Sequence, residues 1–339
     1  MPRISQPDIP QLIKTKAARL GFCALGIAPA APDGEMLRRL SSRPQPPYVP
    51  WEPEYRCSPQ SWLPGARSVL AGAVPYFARY SRRPFSPAKG KGYLSPFAGE
   101  PDYHHFVADK LSRLGEYLLE LQPGTKYTVQ VDSGPGCERL YALRAGVGWQ
   151  GKNNFIIVPG VGSFVWLGLI ITNLELPPDT PLACQCGDCD LCLRACPTKA
   201  YGGANDYDYD RCMAYWLTTK KPLAPDQCTA LSRHGLIYGC DFCQLACPHN
   251  LSGEAEGNWP DLRELLTMPA AEFKAFFQNT ADLWRGSNVL RRNLVLAAAG
   301  SKECRDVLEK FARGQGLAAE AARAVLNAAQ GDTDKSLHK

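Results

Sequence analysis

The residues with the clearest chemistry are cysteines. They run Cys186-x2-Cys189-x2-Cys192-x3-Cys196-Pro197, then a lone Cys212, then Cys240-x2-Cys243-x3-Cys247-Pro248. Thiolates ligate iron–sulfur clusters, and C-x2-C-x2-C-x3-C-P is the bacterial ferredoxin run, whose fourth cysteine crosses to the other cluster. The second run has only three cysteines, so Cys212 replaces the missing one. The spacing therefore assigns Cys186, Cys189, Cys192 and Cys247 to one 4Fe-4S cluster and Cys196, Cys212, Cys240 and Cys243 to the other. Structural zinc is the plainer alternative, but zinc needs only short C-x2-C hooks and leaves the two Cys-Pro ends unexplained. Cys184 is a spare thiol close to the first ligand.

These thiols need a scaffold and a compartment. A chain of 339 residues allows two or three domains. With eight of its 14 cysteines at cluster spacing, a reducing, cytoplasmic setting is expected rather than a disulfide framework. The apolar run Val165 to Ile171 is too short to span a bilayer. Lys14, Lys16 and Arg19 before apolar Gly21–Ala31 imitate a signal peptide. Ile9, Leu12, Ile13, Ala17 and Leu20, however, fall at helical spacing, which favours an amphipathic helix leading into a strand. The net charge of +5 says little, since two oxidised clusters at about −2 each nearly cancel it. Residues 1–100 hold 14 Lys+Arg against 6 Asp+Glu. Arg79, Arg82, Arg83, Lys89 and Lys91 form either a phosphate-facing segment or a solvated loop.

The sequence predicts a buried strand over 66–76, a long Pro/Gly/Ser-rich loop over 79–100, and a helix from Asp102 to Leu121 with Phe106, Leu111, Leu114 and Leu118 on one face. A strand from Tyr127 ends on Asp132, and Glu138 to Ala145 reads as a helix. Three glycines around Trp149 would let the backbone approach something large. Phe155–Val158 and Ser163–Thr172 read as strands joined by a Pro-Gly turn. The mixture lacks regular alternation, so the fold class is α+β. There is no G-x-G-x-x-G between strand and helix and no G-x4-G-K-[ST], which argues against nicotinamide-Rossmann and P-loop sites. Pro177 to Pro181 has linker composition. Beyond the cluster segment, short helices are expected at 261–268, 270–277, 288–299, 302–312 and 317–329, the last three as a solenoid-like stack.

At Val131-Asp132-Ser-Gly-Pro, Arg144-Ala-Gly-Val-Gly-Trp-Gln-Gly-Lys152-Asn153, Gly162-Ser-Phe-Val-Trp-Leu-Gly168 and Tyr238-Gly239-Cys240-Asp241-Phe-Cys243-Gln244, the sequence resembles epoxyqueuosine reductase. The likeness runs from about residue 10 to 300. It implies a cobalamin-dependent enzyme, related to reductive dehalogenases, that converts epoxyqueuosine at the wobble position of certain tRNAs to queuosine. It also implies a nitroreductase-like cobalamin-binding domain (1–178), a ferredoxin-like double 4Fe-4S domain (179–258) and a C-terminal HEAT-like α-helical region (259–339) that helps hold the anticodon arm. By the resemblance, Asp132 is the proton donor, and Arg56, Asp132, Lys152 and Asn153 line the corrin. Lys220, Lys221, Arg285, Arg291 and Arg292 match tRNA-binding segments. The partners implied are the tRNA anticodon stem-loop and an external low-potential electron donor, with the chain a monomer. Gly136-Cys137 depart from the bulkier residues common after the Asp132 turn, Pro96 stands where an arginine often does, and the helical tail is shorter than usual.

Removing an epoxide oxygen to leave an alkene consumes two electrons and two protons, so a cofactor must supply the electrons and an acid must meet the leaving oxygen. Burial beside an apolar corrin face and Trp149 would raise the pKa of Asp132 and keep it protonated. From the residues alone, Asp132 reads first as a cap of the helix that follows. No Asp-x-His-x-x-Gly motif offers a histidine to cobalt, so the corrin is expected without an axial protein ligand. Arg291 and Arg292 are either phosphate clamps or a solvated helix face. Two other functions fit the cluster motif: a corrinoid reductase of a small molecule, and a two-cluster electron carrier.

Overall fold

The computed structural model describes residues 8–76, 89–99, 101–203, 206–250 and 259–336. Arg79, Arg82, Arg83 and half of the expected 79–100 loop lie outside them. The chain divides into two compact units, each described by itself. The first comprises Met1–Ala78, Tyr103–Cys189 and Pro248–Leu251; the second comprises Arg79–Asp102, Asp190–Cys247 and Ser252–Lys339.

The first unit is built on a four-stranded sheet. Its strands stand in the order Ala24–Pro29, Ser68–Pro75, Val165–Thr172 and Tyr127–Gln130. Every pairing is antiparallel, with Ile27 opposite Leu70, Leu70 opposite Ile170, and Val129 also opposite Ile170. This is the α+β arrangement expected. Helices Ile9–Arg19 and Tyr103–Leu121 pack with the sheet, as does Glu138–Arg144. Val69, Ala71, Ala73, Leu169 and Ile171 join Tyr141 and Ala142 of Glu138–Arg144 in one core. Gly168 faces the other layer, where a Cβ would stand 2.6 Å from Leu111. A strand covered on both faces reads as a continuous apolar run, and Ser68–Val74 is buried throughout. Each fully buried Leu or Ile there stabilises the unit by about 1.5–3 kcal/mol.

The first helix begins where Asp8 accepts the Gln11 N–H at 3.3 Å, and it buries Ile13 and Ala17 as its periodicity requires. In Tyr103–Leu121 the buried stripe is Tyr103, Val107, Leu111, Leu114 and Leu118. Phe106, expected on that face, is exposed, its ring lying beside the Lys110 ammonium and Trp166. Phe155–Val158 and Ser163–Thr172 do not form one hairpin. Ile156–Ile157 pairs instead with Trp149–Gln150, while Val165–Thr172 joins the main sheet.

In the second unit, Tyr93–Leu94 pairs in parallel with Leu236–Tyr238. A strand and the 3-10 turn Pro96–Ala98 therefore stand where loop was expected. Lys89 lies 3.2 Å from Glu303 and Lys91 3.6 Å from Asp261, so these two cations of the basic segment meet carboxylates of their own unit. Leu262–Thr267, Ala270–Phe276, Ser287–Ala297 and Arg305–Ala312 follow as helices close to the expected spans, and Leu317–Ser336 runs past its expected end at residue 329; Ser287–Ala297 and Arg305–Ala312 both pack on it. Among the described residues, no helix is long and apolar enough to cross a membrane.

Candidate functional site

In the first unit, the strand Tyr127–Gln130 delivers Asp132 to a tight loop before helix Glu138–Arg144. Asp132 takes φ 54°, a left-handed conformation that costs a non-glycine residue energy and concentrates at functional sites. Side chains hold it there. Glu138 Oε1 accepts the Asp132 N–H at 2.7 Å, and Gln130 Oε1 accepts the Gly136 N–H at 2.9 Å. Gly136 is sterically required, because an added Cβ would lie 2.7 Å from Gln130 Oε1 and 3.0 Å from Leu169. This accounts for the small residue at 136.

The Asp132 carboxyl accepts the Tyr103 hydroxyl at 2.5 Å, and His104 Nε2 lies 3.6 Å away. The Tyr103 ring stacks on Trp166, 5.8 Å between centroids and 9° between planes. The Asp132 side chain is 65% exposed, available to a bound molecule although firmly oriented. Its electrostatics reverse one expectation. Desolvation is the largest single influence and raises its pKa, but hydrogen bonds from His104 and Tyr103, with the charges of His104 and Arg139, together hold it below the usual carboxylate range. The raised group is Glu138, pushed up to about 7 by burial and by the Asp132 charge. Of the two carboxyls, Glu138 is the one that holds a proton near neutral pH.

Arg56 donates through Nε to the Pro135 carbonyl at 3.3 Å and through Nη1 to Gln45 at 2.6 Å. Arg139 Nη1 donates to the Asn154 carbonyl at 3.2 Å, joining the Asp132 loop to the turn that carries Lys152 and Asn153. Arg56, Asp132 and the 152–154 turn are thus brought together. Lys152 is half-buried; Asn153 is buried and accepts the Phe155 N–H at 3.3 Å. The glycines near Trp149 serve the chain itself. A Cβ on Gly146 would lie 2.4 Å from the Thr180 carbonyl oxygen, and one on Gly148 would lie 2.4 Å from that of Ile157. Trp149 is a core residue, 2% exposed, against the His249 ring. The chemistry of the Asp132 group suits a corrin: the macrocycle's rim amides pair with Arg and Lys donors, and the exposed acid is fixed in orientation.

The second unit gathers thiols. Burial, the largest influence, raises the pKa of Cys212, Cys240 and Cys243, and neighbouring thiols raise it further: Cys196 acts on Cys212 and Cys243, and Cys212 acts on Cys240 and Cys243. Four thiols that repel as thiolates are close together, as the second cluster requires. Donors already point at the sulfurs. The Ala200 N–H reaches Cys196 Sγ at 3.3 Å and the Tyr201 hydroxyl reaches Cys243 Sγ at 3.5 Å; such bonds tune cluster potential. Cys186 and Cys189 are joined by a Cys189 N–H to Cys186 carbonyl bond of 3.0 Å, and Cys192 and Cys247 are buried. Cys184 is exposed and turns to the Gln150 carbonyl. Among the described residues, no three His, Cys, Asp or Glu side chains are drawn tightly enough to hold a single metal ion.

Between two of the ligands, Asp241 is fully buried and accepts the Tyr93 hydroxyl at 2.7 Å, Ser95 Oγ at 2.6 Å and Gln244 Nε2 at 2.8 Å. Its role in the Tyr-Gly-Cys-Asp-Phe-Cys-Gln motif is to fasten the 93–95 segment to the cluster peptide. Spacing did not point to it; an acid between two cysteine ligands was the available signal.

The expected tRNA-binding residues divide. Lys220 and Lys221 are exposed on the loop after helix Met213–Trp216. Arg285 is half-buried, donates to the Thr218 carbonyl at 2.8 Å and lies over the Trp284 ring. Arg291 donates to the Met268 carbonyl and covers Phe273. Arg292 is neither clamp nor solvated face: it is 1% exposed and every donor it has is directed at protein.

Two family models match the chain: epoxyqueuosine reductase QueG, DUF1730, over residues 56–133, and the 4Fe-4S double cluster binding domain over residues 185–250. The epoxyqueuosine reductase of Bacillus cereus is 36% identical over 299 residues, covering 84% of this chain and 78% of that protein. That of Gloeobacter violaceus is 34% identical over 85% of this chain and 95% of its own. A crystal structure of epoxyqueuosine reductase with an epoxyqueuosine-modified tRNA-Tyr stem loop superposes with a TM-score of 0.85 at 28% identity, covering 94% of this chain and 89% of that one. A Bacillus subtilis epoxyqueuosine reductase with its catalytic aspartate loop swung out of the active site gives 0.84 at 28% identity, covering 93% and 89%.

Proposed function

The chain belongs to the epoxyqueuosine reductase family, and from that premise we propose a division of labour among its residues. The protein is an oxidoreductase that reduces epoxyqueuosine at the wobble position of tRNA to queuosine, the last step of queuosine biosynthesis. The reaction takes up two electrons and two protons and releases water. Cys186, Cys189, Cys192 and Cys247 would hold one 4Fe-4S cluster and Cys196, Cys212, Cys240 and Cys243 the other, and these would supply one-electron carriers for electrons from an external low-potential donor. Cobalamin, when bound, supplies the low-valent cobalt that delivers them to the substrate. Arg56, Lys152 and Asn153 hold its rim.

The observation that carries this reading is the setting of Asp132. It is exposed at a strained turn, its carboxyl fixed by Tyr103 and flanked by His104, with a proton-bearing carboxyl at Glu138 beside it. Asp132, ionised at rest, relays to the oxygen as the ring opens a proton that Glu138 holds near neutral pH, which removes the charge that would otherwise build there. Lys220 and Lys221, with Arg285 and Arg291 nearby in sequence or space, contact the anticodon stem-loop, and the C-terminal helices form a HEAT-like support. The protein works as a cytoplasmic monomer.

The test is turnover of an epoxyqueuosine-bearing stem-loop by anaerobically reconstituted protein with a chemical reductant, followed by mass spectrometry of the nucleosides. The wild-type chain converts the epoxide, and Asp132→Asn keeps tRNA affinity while losing about 10²–10⁴-fold in rate. Intact epoxide after reaction with the fully loaded wild type overturns the reading.

A further inference from the structure

The residues that follow the second-cluster ligand Cys212 are held by their carbonyls. Arg292 Nη2 donates to the Trp216 carbonyl and Nη1 to that of Thr219, both at 2.8 Å, with a longer bond to Lys221 at 3.4 Å. Asn293 Nδ2 donates to the Leu217 carbonyl at 2.8 Å. Arg285 Nε donates to the Thr218 carbonyl at 2.8 Å. Asn293 Oδ1 in turn accepts Arg292 Nε at 3.0 Å and Nη2 at 2.8 Å, which fixes the guanidinium plane. Five carbonyls within six residues are captured by side chains on, or just before, the helix Ser287–Ala297. Arg292 and Asn293 are 1% and 0% exposed. With the carbonyls turned inward, the exposed side chains of Lys220 and Lys221 are displayed at one fixed place. The Thr219 hydroxyl closes the turn by accepting the Lys221 N–H at 3.2 Å.

We propose that Arg292 and Asn293 are positioning residues for nucleic-acid binding: they touch no phosphate, and hold the Thr218–Lys221 loop so that Lys220 and Lys221 meet the phosphates of the stem-loop together. The charge of Arg292 is spent on backbone carbonyls, a use for which the flat five-donor guanidinium suits and a lysine does not. The proposal rests on the reading of Lys220 and Lys221 as tRNA contacts.

Salt dependence separates the alternatives, because each phosphate contact contributes about 0.7–0.9 to the slope of log K against log salt. Anisotropy of a labelled stem-loop, measured over a salt series with the reconstituted full chain, is compared for the wild type, Lys220→Ala/Lys221→Ala, Arg292→Gln and the triple variant. The lysine pair loses about two phosphate contacts from the slope. Arg292→Gln is expected to lose nearly the same amount although it removes one buried charge, and the triple variant is expected to lose nothing more, a full coupling in the cycle. A loss of one contact that adds to the lysine effect makes Arg292 a direct clamp and overturns the proposal; so does unchanged binding. Where Arg292→Gln lowers iron content or fails to fold, Asn293→Ala serves. It removes no charge, so a reduced slope supports positioning and an unchanged slope refutes it. If the lysine pair itself leaves affinity and slope untouched, the loop's assignment to tRNA has failed and the proposal falls with it, a result distinct from failure of the bracket alone.

Discussion

Glu138 Oε1 accepts the backbone N–H of Asp132 at 2.7 Å, so one carboxyl group clamps the residue that carries the other. The pair is unequal: burial and the Asp132 charge push Glu138 up to about 7, while Tyr103, His104 and Arg139 outweigh desolvation and hold Asp132 low. Negative charge therefore sits first on the exposed member, the proposed acid.

Stability should record this inequality. Glu138 is raised from 4.5 in the unfolded chain to about 7 when folded, so the fold binds its proton more tightly than the unfolded state does. Its effect on stability falls as pH rises through roughly 4.5–7 and levels off above that. Thermal melts of Glu138→Gln should show a flatter dependence than wild type across this window. The depressed Asp132 acts in the opposite sense and below it, stabilising above about pH 4 and losing that contribution at lower pH, so the two can be read separately.

Tyr103→Phe removes the 2.5 Å hydrogen bond that favours ionised Asp132. The pKa of Asp132 should rise, and the limb of the pH–rate profile that it controls should move to higher pH. A profile unmoved from wild type would show that Tyr103 is not coupled to the acid.

Cysteine replacement should separate ligands from bystanders. Cys212→Ala is expected to lower iron from about eight to about four atoms per chain, with one cluster's signal lost from the EPR spectrum. Cys184→Ser, whose thiol turns to Gln150, should keep full iron.

Close packing of helix on sheet gives a stability prediction. A Cβ on Gly26 would fall 1.9 Å from the Ala145 carbonyl oxygen, which backbone must move to relieve. Gly26→Ala should cost about 1–3 kcal/mol, a fall in melting temperature of roughly 2–10 °C for a unit of this size, seen by circular dichroism.

The cluster motif was legible because thiol spacing is local, and the chain matches a 4Fe-4S double cluster binding domain over residues 185–250. The buried strand Ser68–Pro75 was legible for a similar reason, its apolar run being unbroken. Phe106 was misplaced because periodicity fixes a stripe only to within one residue, and Val107 packs better beneath the helix. The role of Trp149 was misread because glycines announce close approach without naming what approaches. The Asp132 pKa was misjudged for want of tertiary partners: Tyr103 and His104 lie about thirty positions away and outweigh desolvation. Arg292 could not be separated from Arg291 by sequence, since adjacent helix positions differ by 100° and only the fold decides which one turns inward.

The Arg292 bracket recognises peptide carbonyls, which every amino acid carries alike. The identities of the exposed residues 220 and 221 are thereby uncoupled from the shape of their loop. The two lysines can be exchanged, one for one, for side chains of other charge or reach while the main chain keeps its path. On the proposed reading, this makes the segment an adjustable dial for RNA preference, set apart from the cluster ligand proposed at Cys212 a few positions upstream.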